Sequence, residues 1–127
     1  MTAGLPMLTK DTTWEEQVLQ AIVGKQLSSV EFVQDYVQLR FDGPTLTAVT
    51  PPTIEIGDGA FLWNEPGFRD EICKRITRKV VAARIVPGDS VQIELDDATI
   101  VKVSLKTEDY RAAEAANFRT MSEWWVL

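Results

Sequence analysis

Histidine is absent from this chain of 127 residues, and cysteine occurs once, at Cys73. Without imidazole the chain can form no Ser-His-Asp or Cys-His nucleophile pair and no histidine metal site. A single thiol excludes an intrachain disulfide, and a reducing compartment is the default for such a chain. General-base chemistry would fall to a carboxylate, a lysine or a tyrosine. We therefore predict that the protein is not an enzyme and uses no metal or other cofactor.

Long apolar runs and an excess of positive charge are also missing. No stretch of roughly 18 apolar residues is present to span a membrane, and the first ten residues lack a basic segment followed by an apolar one. Acidic residues outnumber basic ones by 19 to 13, which gives a net charge of −6. This balance argues against a general affinity for nucleic acid or an anionic membrane. We expect a cytoplasmic protein that contacts neither, and whose partner is another protein or a second copy of itself.

One stretch of the sequence is present twice. VQLRFDGPTLTAV, at 37–49, returns as VQIELDDATIVKV at 91–103, which is 54 positions later and needs no gap. The same offset relates the apolar positions of two candidate helices upstream. Self-similarity of this kind indicates a duplicated structural unit. The identical pairs in the repeat are Val37/Val91, Gln38/Gln92, Asp42/Asp96, Thr45/Thr99 and Val49/Val103.

The repeat predicts an α+β fold, with two pseudo-symmetric helix-β-β-β repeats in a single domain that covers 1–127. The repeats span about 12–50 and 66–104, a short linking hairpin spans 53–63, and a C-terminal extension with a helix spans 107–127. The expected architecture is antiparallel sheet with the helices packed on one face. The two halves would be related by a pseudo-twofold axis, either in one continuous sheet or as two sheets face to face.

Local signals place the individual elements. Thr12 and Thr13, each three residues before a glutamate, predict the start of helix 1, and Gly24 predicts its end. Helix 2 is expected over 68–77. The alanine-rich segment TEDYRAAEAANF predicts a short helix over Glu108–Asn117.

Acidic residues and the lone cysteine have structural explanations in the sequence. The aspartates lie at predicted turns, where their side chains bond the local backbone. Their spacing matches no calcium-binding loop. Cys73 aligns with Leu19 of the first repeat and is predicted to be a structural thiol. The turn aspartates are Asp42, Asp58, Asp89, Asp96 and Asp97.

Two groups of residues are candidates for an interface. Lys74, Arg75 and Arg78 belong to the basic cluster of helix 2, which is either a solvated helix face or a contact for an acidic partner, a phosphate-bearing ligand or helix 1 of a second copy. Trp63, Trp124 and Trp125 are enriched types at interfaces and lie outside the repeat. These tryptophans pack either in the protein's own core or against a partner.

The order of elements resembles that of small bacterial proteins of uncharacterised function, some of which occur near toxin-immunity loci. The matching residues are Ile22 to Lys25, Val37 to Asp42, Ile76 to Lys79 and Val91 to Asp96. This resemblance implies an immunity-protein-like role and brings no catalytic residue.

The favoured function is a non-enzymatic protein-interaction module that forms a homodimer or binds another protein. The alternative is a small-molecule binding domain with a pocket between the two repeats. Trp63, Tyr36 and Arg40 are the candidate lining residues of that pocket.

Overall fold

The chain forms two five-stranded antiparallel sheets, as seen in a computed structural model that describes residues 14–120 and 124–127. Two short helices precede the two sets of strands. The helices are α1 (Trp14–Leu19) and α2 (Phe68–Cys73). The strands are β1 (Ser29–Val33), β2 (Tyr36–Arg40), β3 (Thr45–Ala48), β4 (Pro52–Ile56), β5 (Gly59–Leu62), β6 (Val80–Val86), β7 (Ser90–Leu95), β8 (Ile100–Ser104), β9 (Ala116–Arg119) and β10 (Trp124–Val126).

The predicted fold class is wrong, although the predicted antiparallel pairing is confirmed. Strands make up 45% of the protein and helices only 15%. Both α1 and α2 are six residues long, too short to cover the face of a five-stranded sheet. α1 contacts β6 and α2 contacts β1, and both of these are edge strands. The molecule is therefore a β protein with helices at the sheet edges.

The two sheets exchange hairpins. The first sheet has the strand order β1-β2-β3-β9-β10, and the second has the order β5-β4-β8-β7-β6. The β4–β5 hairpin follows β3 in the chain but pairs with β8, whereas the β9–β10 hairpin follows β8 but pairs with β3. Each three-stranded meander is thus completed by the hairpin that the other half of the chain supplies. The C-terminal hairpin is the topological counterpart of the linking hairpin.

The two halves meet around a short backbone contact. The Leu27 N–H donates to the Arg78 carbonyl at 2.8 Å, and the Thr77 N–H donates to the Leu27 carbonyl at 2.8 Å. Gln26 and Lys79 form an antiparallel bridge, which is flanked by the first of these bonds and by the bond from the Val80 N–H to the Lys25 carbonyl at 2.9 Å. The two sheet orders are equivalent when β1, β2, β3, β9 and β10 are exchanged for β6, β7, β8, β4 and β5, as two copies of one unit would require. The duplication itself stays a prediction.

The ungapped alignment of the repeats fails at the third strand of each unit. Leu39 lies opposite Leu46, seven residues later, whereas Ile93 lies opposite Val101, eight residues later. The β7–β8 turn therefore holds one extra residue. Since side chains alternate with a period of two, one extra residue moves the buried position from Ile100 to Val101.

The helix predicted over 108–117 does not form. Residues Thr107–Asp109 make a single 3-10 turn, and Ala116 begins β9. Ala115 and Ala116 are fully buried beside β3, so sheet pairing and burial outweigh the helix propensity of alanine. Helix 2 is likewise shorter than predicted. The predicted start of helix 1 at Thr12 or Thr13 lies outside the described residues.

One hydrophobic core lies between the inward faces of the two sheets. Its largest fully buried side chains include Phe41, Phe68 and Phe118, which come from both halves of the sequence. The buried Thr50 hydroxyl donates to the Ser104 carbonyl at 2.7 Å and joins the end of one half to β8 of the other. In the described parts of the chain, no helix has the length and apolar character that crossing a bilayer requires.

Candidate functional site

The outward face of the first sheet forms a groove of about 440 Å³. It crosses four strands, because the paired residues Arg40, Thr45, Arg119 and Trp124 make one continuous row from β2 to β10. The alternation that buries Val37 and Leu39 places the polar residues between them on this outward face. The lining residues are Tyr36, Gln38, Arg40, Thr45, Thr47, Val49, Asn117, Arg119 and Trp124.

The two arginines of this groove differ in their partners. Arg40 Nη2 lies 3.4 Å from Glu31 Oε1, in an exposed ion pair on the neighbouring strand. Arg119 is exposed at the end of β9, and among residues 14–120 and 124–127 no carboxylate pairs with it. Toward the described residues, the guanidinium of Arg119 therefore keeps its hydrogen-bond donors available at the β10 end of the groove.

The edge strand β10 presents apolar side chains to solvent. Trp124 is 61% exposed and Val126 is 51% exposed, and both lie on the outward face opposite Arg119 and Asn117. Side chains of this size are costly to leave in water, and tryptophan is typical of binding hot spots.

The backbone of the same two residues is also unpaired on one side. Leu127 and Ala116 exchange reciprocal N–H···O bonds of 2.8 and 3.3 Å. Hydrogen-bonded and non-hydrogen-bonded pairs alternate along an antiparallel ladder, so Val126 and Trp124 are non-hydrogen-bonded toward β9. Their N–H and C=O groups point to the free side of β10.

The second sheet has both of its edges capped. At β5, the Leu62 N–H donates to Glu65 Oε1 at 2.7 Å, and the Glu65 N–H donates back to the Leu62 carbonyl at 3.0 Å. At β6, α1 supplies the caps. Glu16 Oε2 accepts the Ile85 N–H at 2.6 Å, and Gln20 Nε2 donates to the Ala83 carbonyl at 2.7 Å. These contacts block the addition of another strand.

The remaining edge, β1, is flanked by α2. The Arg69 guanidinium carbon lies 5.4 Å above the Phe32 ring, and α2 contacts β1 along this side. No hydrogen bond from the described chain reaches the free side of β10. Among the four sheet edges in the described parts of the protein, β5 and β6 carry hydrogen-bonded caps, β1 has α2 beside it, and β10 has neither.

The predicted interface tryptophans occupy different places. Trp63 is half-buried and packs edge-on against Phe68, with ring centroids 6.3 Å apart. Trp124 lies exposed on β10, and Trp125 lies beside it in the same strand, with its side chain outside the described set. Trp63 lines a second cleft, apart from Tyr36 and Arg40, so the pocket predicted from these three residues does not assemble.

The basic cluster of helix 2 is paired within the chain. Lys74 Nζ lies 3.1 Å from Glu71 Oε2, and Arg75 Nη1 lies 3.0 Å from the other Glu71 oxygen. Arg75 Nε contacts Asp97 Oδ2 at 3.2 Å and donates to Thr99 Oγ1 at 2.9 Å. Arg78 lies 3.7 Å from Asp96. The cluster joins α2 to the β7–β8 turn.

These ion pairs and hydrogen bonds lower the pKa values of two carboxyl groups, Asp97 and Glu71. Partial burial acts to raise the pKa of Asp97, but hydrogen bonds from the side chain and backbone of Thr99, together with the charges of Arg75 and Arg78, outweigh it and lower the pKa. The hydrogen bond and charge of Lys74, with those of Arg75, lower the pKa of Glu71 against a smaller opposing effect of desolvation.

We expect the protein to lose stability in acid for this reason. A carboxyl group whose pKa is lowered by folding stabilises the native state above its unfolded pKa, which is ordinarily 3.8 for Asp97 and 4.5 for Glu71. That stabilisation is lost as the pH falls through the folded pKa. Urea unfolding measured from about pH 7 to about pH 3 should show a falling free energy of unfolding below about pH 4.5.

Asp97→Asn should flatten the acid limb of this curve. Asp58→Asn, at the exposed turn of the β4–β5 hairpin, is the matched control and should leave the limb unchanged. An acid limb of equal steepness in Asp97→Asn and the parent protein would contradict the assignment.

The other acidic turns and Cys73 are unremarkable in their contacts. Asp42 has a positive φ of 55°, which suits a hairpin turn, and Asp97 accepts the Thr99 N–H at 3.1 Å. Within the described residues, no three acidic or cysteine side chains come together as a metal site. Cys73 is an exposed free thiol on α2, because the helix presents this position to solvent where the first repeat buries Leu19.

Sequence reasoning missed two arginines of the clefts and the aliphatic residue of β10. Arg111 lies in the segment that was expected to be helical, and Arg119 and Val126 belong to a hairpin with no sequence match in the first repeat. A faint signal exists, because ANFR alternates apolar and polar residues as a strand does.

Comparison with known proteins adds no further assignment. No protein-family model matches the chain, and neither a curated protein nor a solved structure matches it. The resemblance to small bacterial proteins near toxin-immunity loci therefore stays a prediction, and the function rests on the geometry of the two sheets.

Proposed function

We propose that this protein is a non-enzymatic interaction module that binds an extended segment of another protein by adding it as a strand to β10. The observation that carries the proposal is that Trp124 and Val126 combine unpaired backbone groups with exposed apolar side chains. In strand addition the main-chain bonds supply affinity and the alternating side chains supply specificity. β10 offers both.

The residues around β10 indicate the chemistry of the partner. A residue of the incoming strand that pairs with Trp124 lies two strand spacings, about 9–10 Å, from Arg119. The side chains of an arginine and a glutamate together span this distance beside the indole. An acidic residue at this position would supply the carboxylate that Arg119 lacks in the described chain.

The neighbouring position favours an aliphatic side chain. Val126 is the outward-facing neighbour of Trp124 two residues along β10, and apolar cross-strand pairs stabilise a sheet. An antiparallel incoming strand meets Val126 before it meets Trp124. The expected segment therefore reads aliphatic, any residue, acidic, in an extended conformation.

A second copy of this chain fits the β10 edge less well. A twofold pairing of β10 with itself about Trp125 places a valine opposite Trp124, and Arg119 then meets no carboxylate in that position. Two copies with a net charge of −6 also repel each other. The geometry thus favours a different protein as the partner, and self-association is an outcome of the test.

The test is Val126→Pro. The Val126 N–H points away from β9, so proline removes a donor toward the partner without removing a bond of the native ladder. Peptides of about eight residues, selected from a displayed library on the parent protein, should carry the aliphatic-x-acidic pattern. Their affinity for Val126→Pro should fall about tenfold or more, as expected for a lost backbone bond and a steric block.

Ala60→Pro is the control, because it places a proline on the edge strand of the other sheet, at the position equivalent to Trp124 and two residues from the equivalent of Val126. It should bind the selected peptides like the parent protein. Two outcomes contradict the proposal, namely peptides whose affinity is insensitive to Val126→Pro and a library from which nothing is enriched. A dimer that Val126→Pro dissociates would show that the occupant of this edge is a second copy.

A further inference from the structure

A cleft of about 560 Å³ lies on the second sheet, where the β4–β5 hairpin from the first half of the chain meets the segment after β8 from the second half. Its volume falls in the range of small-molecule sites. The lining residues are Pro51, Pro52, Thr53, Leu62, Trp63, Asn64, Asp89, Ser90, Lys102, Ser104, Lys106, Asp109 and Arg111.

Arg111 lies on an aromatic platform in this cleft. Its guanidinium carbon is 5.3 Å from the Trp63 ring centroid. The indole is in turn held by the fully buried Phe68, at an interplanar angle of 70°. No carboxylate among the described residues pairs with Arg111, so the edge of its guanidinium is available to an acceptor.

The carboxylates of the cleft are engaged by neighbouring hydroxyls. Asp109 Oδ2 accepts the Ser104 hydroxyl at 2.6 Å, and Asp89 Oδ2 accepts the Ser90 hydroxyl at 2.7 Å. Lys106 is left with one long contact of 3.9 Å to Asp89. Of the cationic groups of the cleft, Arg111 has no carboxylate partner among the described residues, and Lys106 has only this long contact.

The remaining cation of the cleft is already neutralised. Lys102 Nζ lies 2.8 Å from Glu55 Oε2 on the adjacent strand. The cleft therefore combines two available positive groups with an apolar rim at Leu62 and Pro51 and the indole of Trp63.

We infer that this cleft binds a small organic anion, with a carboxylate held by Arg111 and Lys106 and a planar apolar body packed against Trp63. A planar guanidinium binds a carboxylate through two parallel N–H···O bonds, and a flat ring matches the indole and the proline rim. The site lies on the second sheet, whereas the proposed protein-binding edge lies on the first. The two proposals are therefore independent, and failure of one does not affect the other.

The test uses 2-naphthoate as the probe, with the ¹H–¹⁵N spectrum of the full chain as the readout. Saturable shifts should appear at the Trp63 indole N–H and the Arg111 Nε–H. Arg111→Gln should weaken binding about tenfold, as expected for a lost charge-assisted hydrogen bond. Lys106→Gln should weaken it about threefold, because an exposed ammonium is screened by solvent and lacks the bidentate geometry of a guanidinium.

Arg119→Gln is the matched control, since it removes an arginine from the other sheet that no described carboxylate pairs with, and it should leave naphthoate binding unchanged. The neutral 2-naphthamide should bind about tenfold more weakly than 2-naphthoate. Absence of a saturable shift, equal binding of the amide, or binding that survives both substitutions would overturn the assignment.

Discussion

Replacing Phe118 with alanine should lower the free energy of unfolding by about 3–5 kcal/mol. Phe118 is 2% exposed and lies in β9, between β3 and β10. It pairs with Leu46, so its loss opens a cavity in the centre of the first sheet. Native domains are stable by only about 5–15 kcal/mol, so the variant should be close to unfolding at ambient temperature.

Equilibrium urea unfolding followed by far-UV circular dichroism measures this effect. Arg119→Ala is the control, because the adjacent side chain is exposed and should change stability by about 0.5 kcal/mol or less. Ile54→Ala, at the equivalent position of β4 in the second sheet, should cost about 2–5 kcal/mol. A cost below about 1 kcal/mol for Phe118→Ala would show that β9 does not hold its place in the sheet.

The second large effect is expected for Arg75→Met, which should cost about 2–3 kcal/mol. The Arg75 side chain is 12% exposed and contacts Glu71, Asp97 and Thr99. Methionine keeps much of the side-chain volume but cannot donate hydrogen bonds. The partly buried oxygens of Glu71, Asp97 and Thr99 would therefore lose the guanidinium as their donor. The shorter of the two arginine contacts with Asp97 in the β7–β8 turn is lost as well.

Arg78→Met separates this effect from a general loss of positive charge. Arg78 contacts the same turn, but its side chain is 52% exposed and its ion pairs are 3.7 and 3.8 Å long. Exposed pairs of this kind contribute about 0–1 kcal/mol. Urea unfolding that gives equal costs for the two variants would contradict the specific role of Arg75.

The strands that the sequence predicted well are those with strict alternation. Val37 and Leu39 in β2, and Val91 and Ile93 in β7, are all buried, as their spacing of two indicates. The turn at Asp42 also follows from composition, because aspartate tolerates its positive φ. These features depend on neighbours within a few residues, so the local sequence is sufficient to predict them.

The number and length of the helices were overestimated, because helix propensity contributes less free energy than tertiary contacts do. Residues 74–77 continue the apolar spacing of α2, but the chain turns there and Thr77 adopts a φ of 88°. The Thr77 N–H then bonds to the Leu27 carbonyl of the other half at 2.8 Å. Nothing in the spacing of helix 2 indicates that bond.

The sequence alone excluded imidazole chemistry, because the chain has no histidine. It also determined the periodicity of the inner strands and the similarity of the two halves. The tertiary structure decided that the halves exchange hairpins, which places β10 at an open edge beside Arg119 and brings Arg111 onto Trp63. The physical reason is that alternation specifies which side of a strand is buried. The neighbour of that strand is chosen by backbone hydrogen bonds between segments far apart in the chain, which have no local signature.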